Sequence, residues 1–124
     1  MTYRRQKNVL VISSNYNFKE QLDLALVGSN YNILNAYDMD MAISMTRMES
    51  PDIILVDCQR NLISDDQMYG FYMYGGSAVE TKPILIFTDD HQPTYSVRGR
   101  PVEILQTSII NKNDLAKIIM SKLA

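Results

Sequence analysis

Three short runs with no polar residue inside them constrain this chain more than any other feature: Val-Leu-Val-Ile at 9–12, Ile-Ile-Leu-Val at 53–56 and Ile-Leu-Ile-Phe at 84–87. A strand wetted on one face alternates apolar with polar residues. A strand that does not alternate must be covered on both faces, as in a parallel sheet sandwiched between helices. Each run also ends abruptly in a polar side chain, at Ser13, Asp57 and Thr88 respectively.

Between the runs the pattern changes to that of amphipathic helices. Asn17 is placed to cap a first helix, with Glu20 three residues on, and Phe18, Leu22, Ala25 and Leu26 fall on one face of it. Gly28 is a plausible stop. Tyr31 to Ala36 reads as a second strand, and Asp38 caps a second helix with Met41, Ala42, Met45 and Met48 as its apolar stripe. Methionines at helical spacing are read as flexible core packing. Pro51 closes that helix region. The stretch NLISDDQMYGFYMYGGSAVETK, residues 61–82, holds one helix at most, broken by Gly70, Gly75 and Gly76. HQPTYSVRGRP carries Pro93, Gly99 and Pro101, so any helix there is short or frayed. Val102 to Leu105 gives a fifth strand, and Asp114 to Leu123 a final helix faced by Leu115, Ile118, Ile119 and Leu123.

Strands and helices thus alternate about five times. The expected architecture is α/β: a doubly wound, five-stranded parallel sheet, flavodoxin-like, forming a three-layer sandwich over a single domain, residues 1–124. In such sheets the functional crevice lies beyond the carboxyl ends of the strands. Those ends supply Ser13, Ser14, Asp57, Thr88, and Thr107 or Ser108.

Composition narrows the function classes. The net charge of −2 gives no general attraction to nucleic acid or an anionic membrane. The basic start, Tyr3 to Lys7, is too short to alter that. Cys58 is the single cysteine, which rules out an internal disulfide and any cysteine metal cluster, and it is expected to be buried and inert. His91 is the single histidine and is expected in an exposed loop. No apolar stretch is long enough to span a bilayer and no secretory signal is visible, so a reduced, cytoplasmic domain is expected.

The segment AYDMDMAISMTRMESPDIILVDC, residues 36–58, resembles the receiver domain of two-component response regulators. Ala36, Ala42, Ile43, Pro51, Asp52 and Asp57 match that family's pattern of Ala, then Gly-x-x-Ala-Leu, then Pro-Asp followed by an apolar strand ending in Asp. Thr88, closing PILIFT, falls where the family has Thr or Ser, and the likeness covers nearly the whole chain. It implies that Asp57 is the position that accepts a phosphoryl group from a histidine kinase. That transfer needs Mg²⁺, since a carboxylate must attack a dianionic group. In the family, two acidic residues after the first strand help to hold the ion, and a lysine after the fifth strand pairs with the phosphoryl oxygens.

This chain departs at both places. The acidic pair falls on Ser13 and Ser14, and the lysine on Ser108, or on Thr107 with a one-residue shift. Ile109 replaces the proline that normally follows, and Lys112 falls in the expected first turn or cap of the last helix. The aromatic position of the fifth strand falls on Ile104 or Leu105, and Asp89 adds bulk and charge where the family prefers a small residue.

The reading these departures favour is an atypical receiver, or pseudo-receiver. It would act by protein–protein interaction without aspartyl phosphorylation, with no enzymatic activity, no cofactor and little or no Mg²⁺ binding. Asp57 is then a strand-end carboxylate satisfied by backbone N–H groups or by the Ser13 and Ser14 hydroxyls. Its partner would be a regulatory or kinase-like protein, or a second copy, met through the region Thr94 to Ala124. Two alternatives stay open. One is a phosphorylatable single-domain regulator, with Asp57 as acceptor and Thr88 as switch. The other is a flavodoxin-like ligand or anion domain using the loop Ser13 to Asn17. That loop has no glycine, Asp57 and Asp89 oppose an anion, and a dinucleotide fingerprint is absent. Finally, QMYGFYMYGG concentrates Met68, Tyr69, Phe71, Tyr72, Met73 and Tyr74, too many for one buried face. One or two of these tyrosines are expected at the surface, where aromatics suit recognition.

Overall fold

The uninterrupted apolar runs form the middle of one sheet. The computed structural model describes residues 6–59, 63–89, 102–106 and 112–123. Its elements are β1 (Lys7–Ile12), α1 (Tyr16–Ala25), β2 (Tyr31–Ala36), α2 (Met39–Met48), β3 (Ile53–Asp57), α3 (Asp65–Tyr74), α4 (Ser77–Thr81), β4 (Ile84–Thr88), β5 (Val102–Gln106) and α5 (Lys112–Leu123). All neighbouring strands are parallel, in the order β2-β1-β3-β4-β5. This is the flavodoxin-like winding, whose order reverses between β1 and β3.

Side-chain alternation sends the two halves of each run to opposite layers. Leu10, Ile12, Ile54, Val56, Ile84 and Ile86 pack against Met39 and Ala42 of α2, Met68 and Phe71 of α3, and Val79 of α4. Val9, Val11, Ile53, Leu55, Leu85 and Phe87 pack against Phe18 and Leu22 of α1, Leu26 just after it, and Leu115 and Ile119 of α5. Phe18 meets Phe87 edge to face, with ring centroids 5.2 Å apart. Each fully buried aliphatic or aromatic side chain contributes about 1.5–3 kcal/mol, so the two layers account for the fold.

Four helices differ from the sequence expectation. α1 is capped by Asn15 rather than Asn17: the Asn17 backbone N–H donates to Asn15 Oδ1 at 2.9 Å. Ser13 Oγ in turn accepts from the Asn15 backbone N–H at 3.0 Å, which fixes the cap two residues earlier. α2 is capped by Asp38, which accepts from the Met41 N–H at 2.8 Å, as expected. Its buried stripe, however, is Met39, Ala42 and Thr46, with Ile43 and Met45 partly covered. Met41 and Met48 are 39% and 78% exposed, so only Ala42 and Met45 of the expected stripe reach the core. Thr46 can point inward because its hydroxyl donates to the Ile43 carbonyl at 2.8 Å.

α3 runs straight through Gly70, which does not break it. A capping box starts the helix: the Gln67 N–H donates to Ser64 Oγ, and the Ser64 N–H donates to Gln67 Oε1. Burial of Met68, Phe71 and Tyr72 then outweighs the loss of about 1 kcal/mol for an interior glycine. Gly75 and Gly76 do end it, and Gly76 adopts φ +83°, before the five-residue α4. Tyr69, Met73 and Tyr74 are exposed, so two tyrosines reach the surface as anticipated. α5 begins at Lys112, two residues earlier than expected, and its Lys122 pairs with Glu103 of β5 at 2.9 Å. The expected loop or helix carrying His91, Pro93 and Gly99 lies outside the described residues.

Candidate functional site

The register places Ile12 beside Val56, so the next residues along, Ser13 and Asp57, are neighbours across the point where the strand order reverses. Parallel strands lie about 4.8 Å apart, which brings a serine hydroxyl within bonding range of a carboxylate. Ser13 Oγ–H donates to Asp57 Oδ2 at 2.6 Å, and both side chains are buried. That separation is the one found for a hydroxyl donating to a charged carboxylate. The other oxygen, Oδ1, accepts from the Gln59 backbone N–H at 3.1 Å and from Gln59 Nε2 at 2.9 Å. Asp57 is 1% exposed. A buried carboxylate is costly unless its lone pairs are satisfied, and here three donors satisfy them.

Ser14 is exposed and lines the neighbouring cleft, but the bond to Asp57 comes from Ser13. The cleft has a volume of about 230 Å³ and is also walled by Tyr37, Asp38, Ile63 and Gln67. Lys19 of α1 sets its ammonium 3.3 Å from the centroid of the Tyr37 ring. Burial lowers the pKa of Lys19 from its ordinary 10.5, while the ring face beneath favours the charged form. Thr88 is buried at the end of β4, one residue beyond Phe87, the register partner of Asp57. Asp89 is exposed. Cys58 is buried, and its N–H donates to the Phe87 carbonyl at 2.7 Å. Ile104 and Leu105 join opposite layers of the core. Ser108 and Thr107 lie outside the described residues.

Two members of the site were not singled out in the sequence. Gln59 has a local signal: a polar residue two positions after a strand-end aspartate can fold back onto it, as in an Asx turn. Asp38 was read as a helix cap alone, yet it also faces the cleft. At the opposite end of β3, Asp52 Oδ2 accepts from the Asn8 N–H at 2.7 Å, and the Asp52 N–H donates to the Asn8 carbonyl at 2.8 Å. This pair locks the β1–β3 register that delivers Ser13 to Asp57.

The donor set does not fit the Mg²⁺ ion on which phosphotransfer to such an aspartate depends. Mg²⁺ prefers one or two carboxylates together with waters in near-octahedral geometry. Asp57 is a single carboxylate already bonded on both oxygens, Asp38 Oδ1 is used in the α2 cap, and the Ser13 and Ser14 hydroxyls carry no charge. Among the described residues no group of three His, Cys, Asp or Glu side chains could hold a metal. An anion fares no better in the Ser13–Asn17 loop. The N–H groups of Asn15 and Asn17 are taken by Ser13 Oγ and Asn15 Oδ1, and the Ser13 proton is taken by Asp57.

No family profile matches the sequence. No curated protein matches it either. The fold has many solved counterparts. A response regulator from Thermotoga maritima superposes with a TM-score of 0.74 at 14% identity, covering 96% of this chain and 98% of that one. The chemotaxis response regulator CheY4 of Vibrio cholerae gives 0.74 at 18% identity, covering 96% and 100%. The signal receiver domain of an HD domain-containing protein from Pseudomonas fluorescens Pf-5 gives 0.75 at 13% identity, covering 96% and 95%. The chain therefore has the fold of response regulator receiver domains. No helix among the described residues is long and apolar enough to cross a membrane.

Proposed function

We propose that this chain is a pseudo-receiver, a signalling module that works by binding a protein partner rather than by accepting a phosphoryl group. The observation that carries this reading is the Ser13–Asp57 hydrogen bond of 2.6 Å, completed by Gln59 on the second oxygen. Phosphotransfer requires charge to be neutralised at the moment of attack. At Asp57 the groups that would do so are replaced by neutral donors, which stabilise the resting carboxylate instead. Catalysis and a resident cofactor are not part of this proposal.

The partner surface proposed is that of β5 and α5, where Lys117 and Met120 are exposed and Glu103 pairs with Lys122. The test uses an identified partner, obtained by cross-linking in the cell of origin. Asp57→Asn should leave its affinity unchanged, because the amide retains an acceptor for the Gln59 N–H and a donor for Ser13 Oγ. Lys117→Glu should weaken binding without unfolding the chain, since an exposed substitution rarely alters stability by more than about 0.5 kcal/mol. The reverse pattern would point back to the crevice and overturn the proposal.

A further inference from the structure

α2 and α3 leave an open groove on their outer side. Its volume is about 400 Å³, with Asp40 and Ile43 on the α2 wall, Gln67 and Tyr74 on the α3 wall, and Gly70 between them. A second cleft of about 380 Å³ adjoins it at the next turn of α2, beside Arg47 and Lys82.

Gly70 is the first clue. An interior glycine weakens a helix by about 1 kcal/mol relative to alanine. The fold itself does not require it: Gly70 is not among the positive-φ glycines, and a Cβ there would meet nothing within 4 Å. What its missing side chain leaves accessible is the groove, where another chain can approach the helix backbone closely.

Charge identifies what that chain is. Asp40 and Arg47 lie seven residues apart on one side of α2, with Ile43 between them, and both are exposed. At 1.5 Å per residue the two charges are about 10 Å apart along the helix. Neither makes an ion pair among the described residues. An acid–apolar–base ridge is complementary to itself once turned end for end. Set antiparallel about a two-fold axis near Ile43, each Asp40 faces the other copy's Arg47, and both contacts form at once. A partner segment of a single charge sign would satisfy only one end. Tyr74, 62% exposed on the opposite wall, supplies apolar area beside this axis.

We infer that two copies of this chain associate through the α2–α3 groove, as a symmetric dimer. The inference is independent of the Asp57 reading, because none of Asp40, Ile43, Arg47, Gly70 and Tyr74 lines the Ser13–Asp57 cleft, and its failure would leave that reading standing.

The test is sedimentation velocity of the purified full chain over a concentration series. The wild type should sediment as two copies at high concentration. Asp40→Lys alone and Arg47→Asp alone should each weaken the dimer roughly tenfold or more, because like charges then meet on both sides of the axis. An equimolar mixture of the two variants should restore it, since every contact again joins opposite charges. Gly70→Leu should raise the unfolding midpoint, by better helix propensity, while abolishing the dimer by filling the groove. That combination cannot come from misfolding. A wild type that stays monomeric, a dimer indifferent to either charge reversal, or a mixture that fails to reassociate would each overturn the inference.

Discussion

The Ser13 hydroxyl donates to Asp57 Oδ2 across 2.6 Å, joining the ends of β1 and β3 at the reversal of strand order. In this fold that is the place where a ligand or a reacting group is usually received. Here the strand-end carboxylate is instead bonded within the chain, between the serine that follows β1 and Gln59, two residues beyond Asp57 itself.

Removing the hydroxyl should expose the imbalance. Ser13→Ala leaves Asp57 Oδ2 buried without the donor that now faces it, which should destabilise the fold by about 1–3 kcal/mol. Ser14→Ala, at an exposed position, should stay within about 0.5 kcal/mol of wild type. Urea unfolding of both variants measures the difference, and equal effects would mean that the Ser13 bond contributes nothing.

Gln59→Ala should be the milder lesion. It deletes the Nε2 donor but keeps the backbone N–H on Oδ1, so a loss below about 1 kcal/mol is expected. The ordering, Ser13→Ala worse than Gln59→Ala, follows from which oxygen keeps a partner. Chemical denaturation with both variants at one pH would show it, and a reversed order would contradict the assignment.

Mg²⁺ should bind weakly or not at all to the wild type, with no change in unfolding midpoint up to millimolar ion. The double substitution Ser13→Asp with Ser14→Asp should lower stability without the ion, because a second carboxylate is then buried beside Asp57. Added Mg²⁺ should recover that loss, as a ligand that binds only the folded state does. Thermal melts with and without Mg²⁺ read both effects, and a wild-type midpoint that rises with the ion would refute the expectation.

Much of the scaffold was legible because the relevant signals are strong and local. Runs such as Ile53 to Val56 can hardly be anything but doubly covered strands, and the 44-residue separation of Ser13 and Asp57 follows once β1 and β3 are paired. The misses arose where a local rule met a stronger nonlocal or capping effect. Gly70 reads as a breaker until the Ser64–Gln67 capping box and the buried Phe71 hold the helix through it. The periodicity of α2 placed Ala42 and Met45 toward the core but missed Met39 and also Thr46, a polar residue that turns inward by bonding its own helix. At the site, the sequence named Ser13 and Asp57 and allowed for a hydroxyl between them. It did not show Gln59, whose role depends on how the chain bends after β3.

The most direct test of the central claim is chemical phosphorylation. Purified wild type is incubated with acetyl phosphate and excess Mg²⁺, and its intact mass is followed with time. A carboxylate held by Ser13 and Gln59, with serines at the positions of the acidic pair, should gain no phosphoryl group, and Asp57→Asn should likewise show no mass increase. A stable mass increase of one phosphoryl group in the wild type, lost in Asp57→Asn, would establish Asp57 as a working phosphoacceptor and contradict the account.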